Sequence, residues 1–325
     1  MTSDRTVKLL HSSPHAHEGQ VAVVVPTRNS GRTLEACLRS LRDQSFVCVI
    51  VVVDNHSMDD TVAIACQYAD IVAMAGPERS AQRNAGAALT TSPILGFIDS
   101  DMVVDSIVVG QATSALQSGA GGIVVPEHSF GEGFWADVRA FERSFYHGSD
   151  TVEAARFFRR DVFERVGGFD EAMEPGGEDW DLTIRVRRVA AVTRISAEIA
   201  HDEGRPTFWN ACAKKGYYAA GLRSFARKHG TASLSVLDRP YLRRPWVIFS
   251  RGPRLGLGLV ALKGGEATAV VAAMILRARS PTGRGGDSVD WQGMSGGGAA
   301  SICSSRREGG RELDADPSRD SPCDE

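Results

Sequence analysis

Between residues 20 and 102 the chain alternates short apolar runs with amphipathic stretches. VAVVVP (21–26) is an unbroken, largely β-branched run ended by Pro26, the pattern of a strand buried on both faces. GRTLEACLRSLRDQ (31–44) places Leu34, Leu38 and Leu41 on one helical face. VCVIVVVD (47–54) reads as a second buried strand, 60–69 as a helix and DIVAM (70–74) as a short strand. SAQRNAGAAL (80–89) reads as a helix and ILGFIDSDM (94–102) as a strand running into an acidic loop. This β-α-β-α-β-α-β order predicts an α/β fold, a mostly parallel central sheet with helices on both faces.

Downstream the pattern is less regular. It predicts helices over 106–117, 133–147, 161–166, 179–190 and 207–228, strands at GGIVVPE (121–127) and AVTRIS (191–196), and a polar loop at 201–207. Residues 1–19 are polar and aperiodic and predict a loose leader, which leaves 20–236 as the domain. Residues 237–279 predict a basic, apolar helical segment: from 238 on it carries eight Lys or Arg against two acids. That mixture suits either contact with an anionic membrane surface or packing on the domain. Residues 280–325, with nine Gly, eight Ser and three Pro, predict a disordered tail.

Composition narrows the classes. Hydrophobic residues at 42% and charged residues at 24% are ordinary for a globular protein. With 37 Lys and Arg against 40 Asp and Glu, the chain lacks the basic excess of a nucleic-acid binder, and nucleic acid is not an expected partner. The six cysteines form no C-x-x-C pair, which argues against a zinc ribbon and for free thiols in a reducing compartment. The N-terminus has no sustained apolar stretch, and the longest late one, 267–276, is ten residues, short of the roughly 18 that cross a membrane. A cytoplasmic location follows, with peripheral contact on the inner face of the membrane as an option.

The chemistry-bearing residues fall at strand ends. Pro26-Thr27-Arg28-Asn29, Asp54-Asn55-His56-Ser57 and Asp99-Ser100-Asp101 each follow a predicted strand, and in an open parallel sheet such ends meet along one edge, where ligands bind. No G-x-G-x-x-G and no G-x-x-x-x-G-K-[ST] is present, so the dinucleotide and P-loop readings lose their main support. Asp99 and Asp101 are either oxygen ligands of a divalent cation or solvated acids of a turn. Glu178 and Asp179, taken alone, read as a charge complement to a helix N-terminus. Trp180 stacks on a ligand or belongs to the core, and Asp181 with Arg185, four apart, suits an intrahelical ion pair.

VAVVVPTRNSGRTLEACLRSLRDQSF followed by VIVVVDNHSMDDT, ERSAQRNAGAAL, ILGFIDSDM and GGFDEAMEPGGEDWDLTIRV, in that order over about residues 20–230, resembles the family 2 inverting glycosyltransferases of the GT-A fold. The resemblance implies one nucleotide-diphospho-sugar domain. It implies that Pro26, Thr27 and Asn29 contact the nucleotide and that Asp54 hydrogen-bonds the base. The family's D-D-x-S-x-D-x-T stands here as Asp54-Asn55-His56-Ser57-Met58-Asp59-Asp60-Thr61, with Asn55 and His56 in place of Asp and Gly. Arg83 and Asn84 match an R-N pair that approaches the nucleotide. Asp99 and Asp101 match the D-x-D, with Asp101 the more direct ligand of Mg²⁺ or Mn²⁺. Glu178 and Asp179 match an E-D pair in which Asp179 is the general base and Glu178 positions it or contacts the acceptor. His201 reaches the metal or the diphosphate, or is structural.

The implied reaction moves a hexosyl or N-acetylhexosaminyl group from a UDP- or GDP-sugar to an acceptor hydroxyl, on a lipid-linked or cell-envelope glycan among the options. The rival expectations are a sugar-nucleotide-binding protein and a sugar nucleotidyltransferase. PTRNSGRT is a poor match to the glycine-rich activating loop that a nucleotidyltransferase needs.

Overall fold

The computed structural model describes residues 7–13, 19–149, 152–230 and 239–279. Its strands are β1 (Lys8–Ser12), β2 (Val21–Thr27), β3 (Val49–Asp54), β4 (Ile71–Met74), β5 (Ile94–Phe97), β6 (Met102–Val104), β7 (Gly122–Val124), β8 (Glu127–Phe130), β9 (Ala155–Arg159), β10 (Val192–Arg194) and β11 (Ile199–Asp202). The helices are α1 (Leu34–Arg42), α2 (Thr61–Tyr68), α3 (Arg79–Ala88), α4 (Val108–Gln117), α5 (Phe134–Arg143), α6 (Arg160–Arg165), α7 (Glu178–Arg187) and α8 (Phe208–His229). After residue 239 come α9 (Pro240–Arg243), α10 (Trp246–Arg251) and α11 (Pro253–Arg279).

Eight strands form the main sheet in the order β1-β4-β3-β2-β5-β9-β7-β10. Six of them run the same way; β1 and β9 are reversed. The α/β class, with its mostly parallel sheet, is therefore as expected. Side-chain alternation explains why the strand sequences are apolar without a break. Val21, Val23 and Val25 of β2 join Ile50 and Val52 of β3 beneath α1, α2 and α4. Ala22 and Val24 join Val49, Val51 and Val53 on the opposite face beneath α3, α6 and α7. Helix α1 shows the same economy: Leu34, Cys37, Leu38 and Leu41 are buried, while Glu35 in the first turn and Arg39 and Arg42 in the last complement the helix dipole.

Helix α3 lies unusually close to the sheet. A Cβ on Gly86 would sit 2.3 Å from Cγ1 of Val24. Gly86→Ala is therefore expected to destabilise the fold by about 1–3 kcal/mol, although alanine is the better helix former. Urea unfolding checks this; an unchanged or raised midpoint would mean that α3 shifts without cost.

The structure departs from the sequence pattern in four places. Within the 1–19 leader, residues 8–12 form β1, which pairs antiparallel with β4 at the sheet edge. Strand β9, not predicted, is inserted between β5 and β7. A second sheet, β6-β11-β8, takes in His201 and Asp202, which were expected in a loop. The apolar run 267–276 is part of a single helix, α11, whose Pro253–Ile275 stretch is long and apolar enough by composition to cross a membrane. Lys263 and Glu266 interrupt the pattern in sequence but turn onto the domain, where Lys263 Nζ lies 2.7 Å from both Glu142 and Glu266. The 280–325 tail lies outside the described residues.

Cys37, Cys48 and Cys212 are buried free thiols and Cys66 is exposed. Burial pushes the Cys48 thiol up to about 12, far from a nucleophilic thiolate at neutral pH.

Candidate active site

The three polar strand ends meet as expected at the carboxyl edge of β2, β3 and β5. Asp54 ends β3 fully buried and accepts hydrogen bonds from Thr27 Oγ1 (3.1 Å) and the Ser57 backbone N–H (2.8 Å). Pro26 and Thr27 lie in register with Val53 and Asp54. Asn29 stitches the two loops: its N–H donates to Ser57 Oγ and its Oδ1 accepts from the Met58 N–H, both at 2.8 Å. Both departures from the family motif have a local cause or cost. The Asn55 amide donates to the Pro77 carbonyl at 2.7 Å, which an ionised carboxylate cannot do. His56 holds φ +52°, a left-handed conformation in which the more usual glycine carries no strain.

Around Asp99 the side chains form a continuous charged chain. Arg83, on α3 and fully buried, donates from Nη2 to Asp99 Oδ1 (2.6 Å) and from Nη1 to Asp179 Oδ1 (2.9 Å), with Glu178 Oε1 at 3.5 Å. Arg156 of β9 reaches Asp99 Oδ2 (3.3 Å) and Glu127 Oε1 (2.7 Å). Glu127 also pairs with Arg143, which lies 3.2 Å from His201 Nδ1. His201 Nε2 in turn lies 3.1 Å from Asp101 Oδ2. The backbone sets this last contact, because β11 pairs with β6 so that His201 faces Met102, next to Asp101.

The charges polarise one another. Burial pushes the Asp99 carboxyl up, but Arg83, Arg156 and Arg79 outweigh it and hold it well below the usual carboxylate range. Glu178 is driven down to about 2: Arg79 and Arg83 overcome its burial, and the Gly177 N–H adds a hydrogen bond. Asp179, the next residue, moves the other way. Burial raises it, Glu178 and Asp99 add to the rise, and Arg83 and Arg156 only partly offset it. Burial pushes His201 down, but Asp101 reverses this and raises it, while Asp101 is itself lowered despite burial.

Not every expected residue joins this group. Asn84 is turned away: its amide nitrogen donates to Phe169 O and Glu171, and its Oδ1 accepts the Phe169 N–H, so it clamps the 168–171 loop. Trp180 donates to Val152 O and packs on Phe225, the core alternative. Asp181 and Arg185 pair at 2.6 Å, joined by Lys228 and His229. Arg79, Glu127, Arg143 and Arg156 were not anticipated; the one signal was a charge, Arg156, inside the apolar run AARFF.

The metal expectation is changed in one respect. Among the described residues no three His, Cys, Asp or Glu side chains converge as a ligand set. Asp99 has one carboxylate oxygen on Arg83 and the other on Arg156, so it does not join Asp101 and His201. Those two remain adjacent, 23% and 15% exposed, and offer the oxygen and nitrogen donors that Mg²⁺ or Mn²⁺ accepts. They fit an ion whose other ligands come from substrate oxygens and water.

Residues 22–167 match the profile of Glycosyl transferase family 2. A pre-mycofactocin glycosyltransferase of Mycobacterium tuberculosis is 28% identical over 263 residues, covering 73% of this chain and 54% of the relative. The chain thus spans about half the length of that relative. Among solved structures, a mannosyltransferase from Pyrobaculum calidifontis in complex with GDP-Man and Mn²⁺ is 18% identical, with 83% of this chain and 82% of that chain covered and a TM-score of 0.48. S. aureus TarS in complex with UDP-GlcNAc is 16% identical, with 80% and 91% covered and a TM-score of 0.49.

Proposed function

We propose that this chain is a glycosyl transferase of family 2, as the match over residues 22–167 supports, and that it transfers a sugar from a nucleotide-diphospho-sugar to an acceptor hydroxyl with inversion at the anomeric carbon. The observation that carries the reading is the divergence of two neighbouring carboxyls, Glu178 held ionised by Arg79 and Arg83 and Asp179 raised towards the proton. A base that must take a proton and keep it through the transition state needs the raised member of such a pair.

In the proposed mechanism Asp179, 29% exposed, accepts the acceptor hydroxyl's proton. The freed oxygen attacks the anomeric carbon from the face opposite the nucleoside diphosphate, whose bond to that carbon breaks with the electron pair leaving on the phosphate oxygen. Arg83 fixes the base, and Asp54, Thr27 and Asn29 shape the nucleotide end, with Pro26 closing β2. Asp101 and His201 would hold Mg²⁺ or Mn²⁺, which supplies positive charge to the departing diphosphate. The donor is a UDP- or GDP-sugar, and a lipid-linked or cell-envelope glycan is the acceptor class we favour.

A screen of nucleotide-sugars for slow hydrolysis, with Mn²⁺ or Mg²⁺ and no acceptor, tests this. One donor releasing free nucleoside diphosphate is expected. Binding without turnover, with or without acceptor glycans, would leave a sugar-nucleotide-binding protein, and pyrophosphate formation from a nucleoside triphosphate and a sugar phosphate would make it a nucleotidyltransferase.

Arg156 offers a finer check, because it lies against Asp179 and Asp99. Arg156→Met removes a positive charge 3.8 Å from Asp179. The acidic limb of the hydrolysis rate is then expected to move to higher pH, since Asp179 holds its proton more tightly. An acidic limb that stays in place while turnover falls would give Arg156 a purely structural part.

A further inference from the structure

Helix α11 is built inside out. Its charged pair, Lys263 and Glu266, faces the domain, with Glu266 buried 3.9 Å from Arg139 and Lys263 on Glu142. Between 257 and 275 its exposed positions are 257, 260, 261, 264, 267, 268, 271, 272 and 275, a stripe at helical spacing, and none of these carries a charge. Leu257, Val260, Val271 and Ile275 are 65%, 51%, 55% and 49% exposed, and Ala, Gly and Thr complete the face. A helix resting on a domain in water does the reverse, with its charges outward. From 257 to 275 this apolar face is about 27 Å long.

The surroundings say what covers it. Arg243, Arg244, Arg251 and Arg254 are exposed on α9, α10 and the start of α11, and the acid of residues 239–279, Glu266, is buried. Trp246, 65% exposed, adds the side chain enriched at headgroup depth. An uncharged apolar face next to exposed guanidiniums is complementary to an anionic lipid surface. We infer that α9–α11 form a docking surface on which the protein lies against an anionic bilayer, with α11 in the plane of the interface. Crossing the bilayer is not compatible with this packing, because Leu259, Leu262 and the Lys263–Glu142 pair bind the same helix to α5 and α8 along the domain. The inference does not rest on the catalytic reading.

Co-sedimentation of the full chain with phosphatidylcholine vesicles, with and without phosphatidylglycerol, tests it. Binding is expected only with phosphatidylglycerol, and largely lost at about 0.5 M salt, where charges more than a few ångströms apart are screened. Arg243→Gln with Arg244→Gln is expected to weaken it about 30-fold. Val260→Glu with Val271→Glu is expected to remove it, while hydrolysis of the donor in solution stays as in the parent chain. Retention in the supernatant with anionic vesicles, or unchanged binding of the glutamate variant, overturns the inference. So does sedimentation velocity showing a lipid-free dimer that the glutamate variant dissociates, because the face would then be an interface between copies. Loss of donor hydrolysis in the parent chain bears on the proposed function alone.

Discussion

Asp179→Asn is expected to lower turnover by about 10²–10⁴-fold, the usual contribution of a general base, and to leave the dissociation constant for the donor within a few-fold of its parent value. The asparagine keeps the shape and can still accept from Arg83, which donates 2.9 Å away, but it cannot take a proton. The sign of the pH dependence follows from the direction of the shift. Asp179 is raised, so in the parent protein activity climbs as pH rises through that raised value, and the climb should vanish in the variant. Stability should move the opposite way. A carboxyl raised by folding favours the protonated fold, so its ionisation at neutral pH costs stability, and that cost disappears below the unfolded carboxylate range. The variant should therefore be at least as stable as the parent at neutral pH, the gap closing in acid. Steady-state hydrolysis, donor titration and thermal unfolding measure the three. Weakened donor binding with normal turnover would move Asp179 out of the role of base.

The first half of the domain was legible in the sequence because its strands lie in a parallel sheet covered on both faces. Such strands must be continuously apolar, so β2 and β3 stand out, and their polar ends mark the site. Strand β9 did not stand out. It is short, reversed and followed at once by α6, so ARFFRRDVF carries no period of its own, and register alone places Arg156 beside Asp99. The second sheet was hidden for a similar reason: β11, the central strand of three, carries His201 and Asp202, and such polar, half-buried residues read as loop. At Asn84 the position on α3 was read but not the direction of the side chain. A step of one residue along a helix turns a side chain by about 100°, which takes Arg83 into the strand ends and Asn84 onto the 168–171 loop. Ion-pair partners far apart in sequence, such as Arg143 with Glu127 and Arg156 with Glu127, have no local signature at all.

Asp101→Ala and removal of divalent ions with EDTA are expected to produce the same loss, at least about 10³-fold in donor hydrolysis, because each removes the positive charge that offsets a leaving diphosphate. The fold should survive the substitution. Asp101 is 23% exposed in the turn between β5 and β6, and the contacts that hold this turn are backbone: Asp101 O accepts the Asp202 N–H at 2.8 Å and His201 faces Met102 across the ladder. Asp99→Ala should behave differently, although it is two residues away and belongs to the same motif. Its carboxylate neutralises Arg83 and Arg156, both buried, and removing one partner of a buried ion pair typically costs about 3–5 kcal/mol. Asp99→Ala should therefore lower the unfolding midpoint sharply, and added Mn²⁺ should not restore it. Asp101→Ala should leave the midpoint near that of the parent. Comparing the two variants by thermal unfolding and by hydrolysis across a Mn²⁺ titration separates the part of the motif that holds the site together from the part that meets the ion. Full hydrolysis in EDTA would remove the ion from the mechanism and leave Asp101 and His201 as a structural pair.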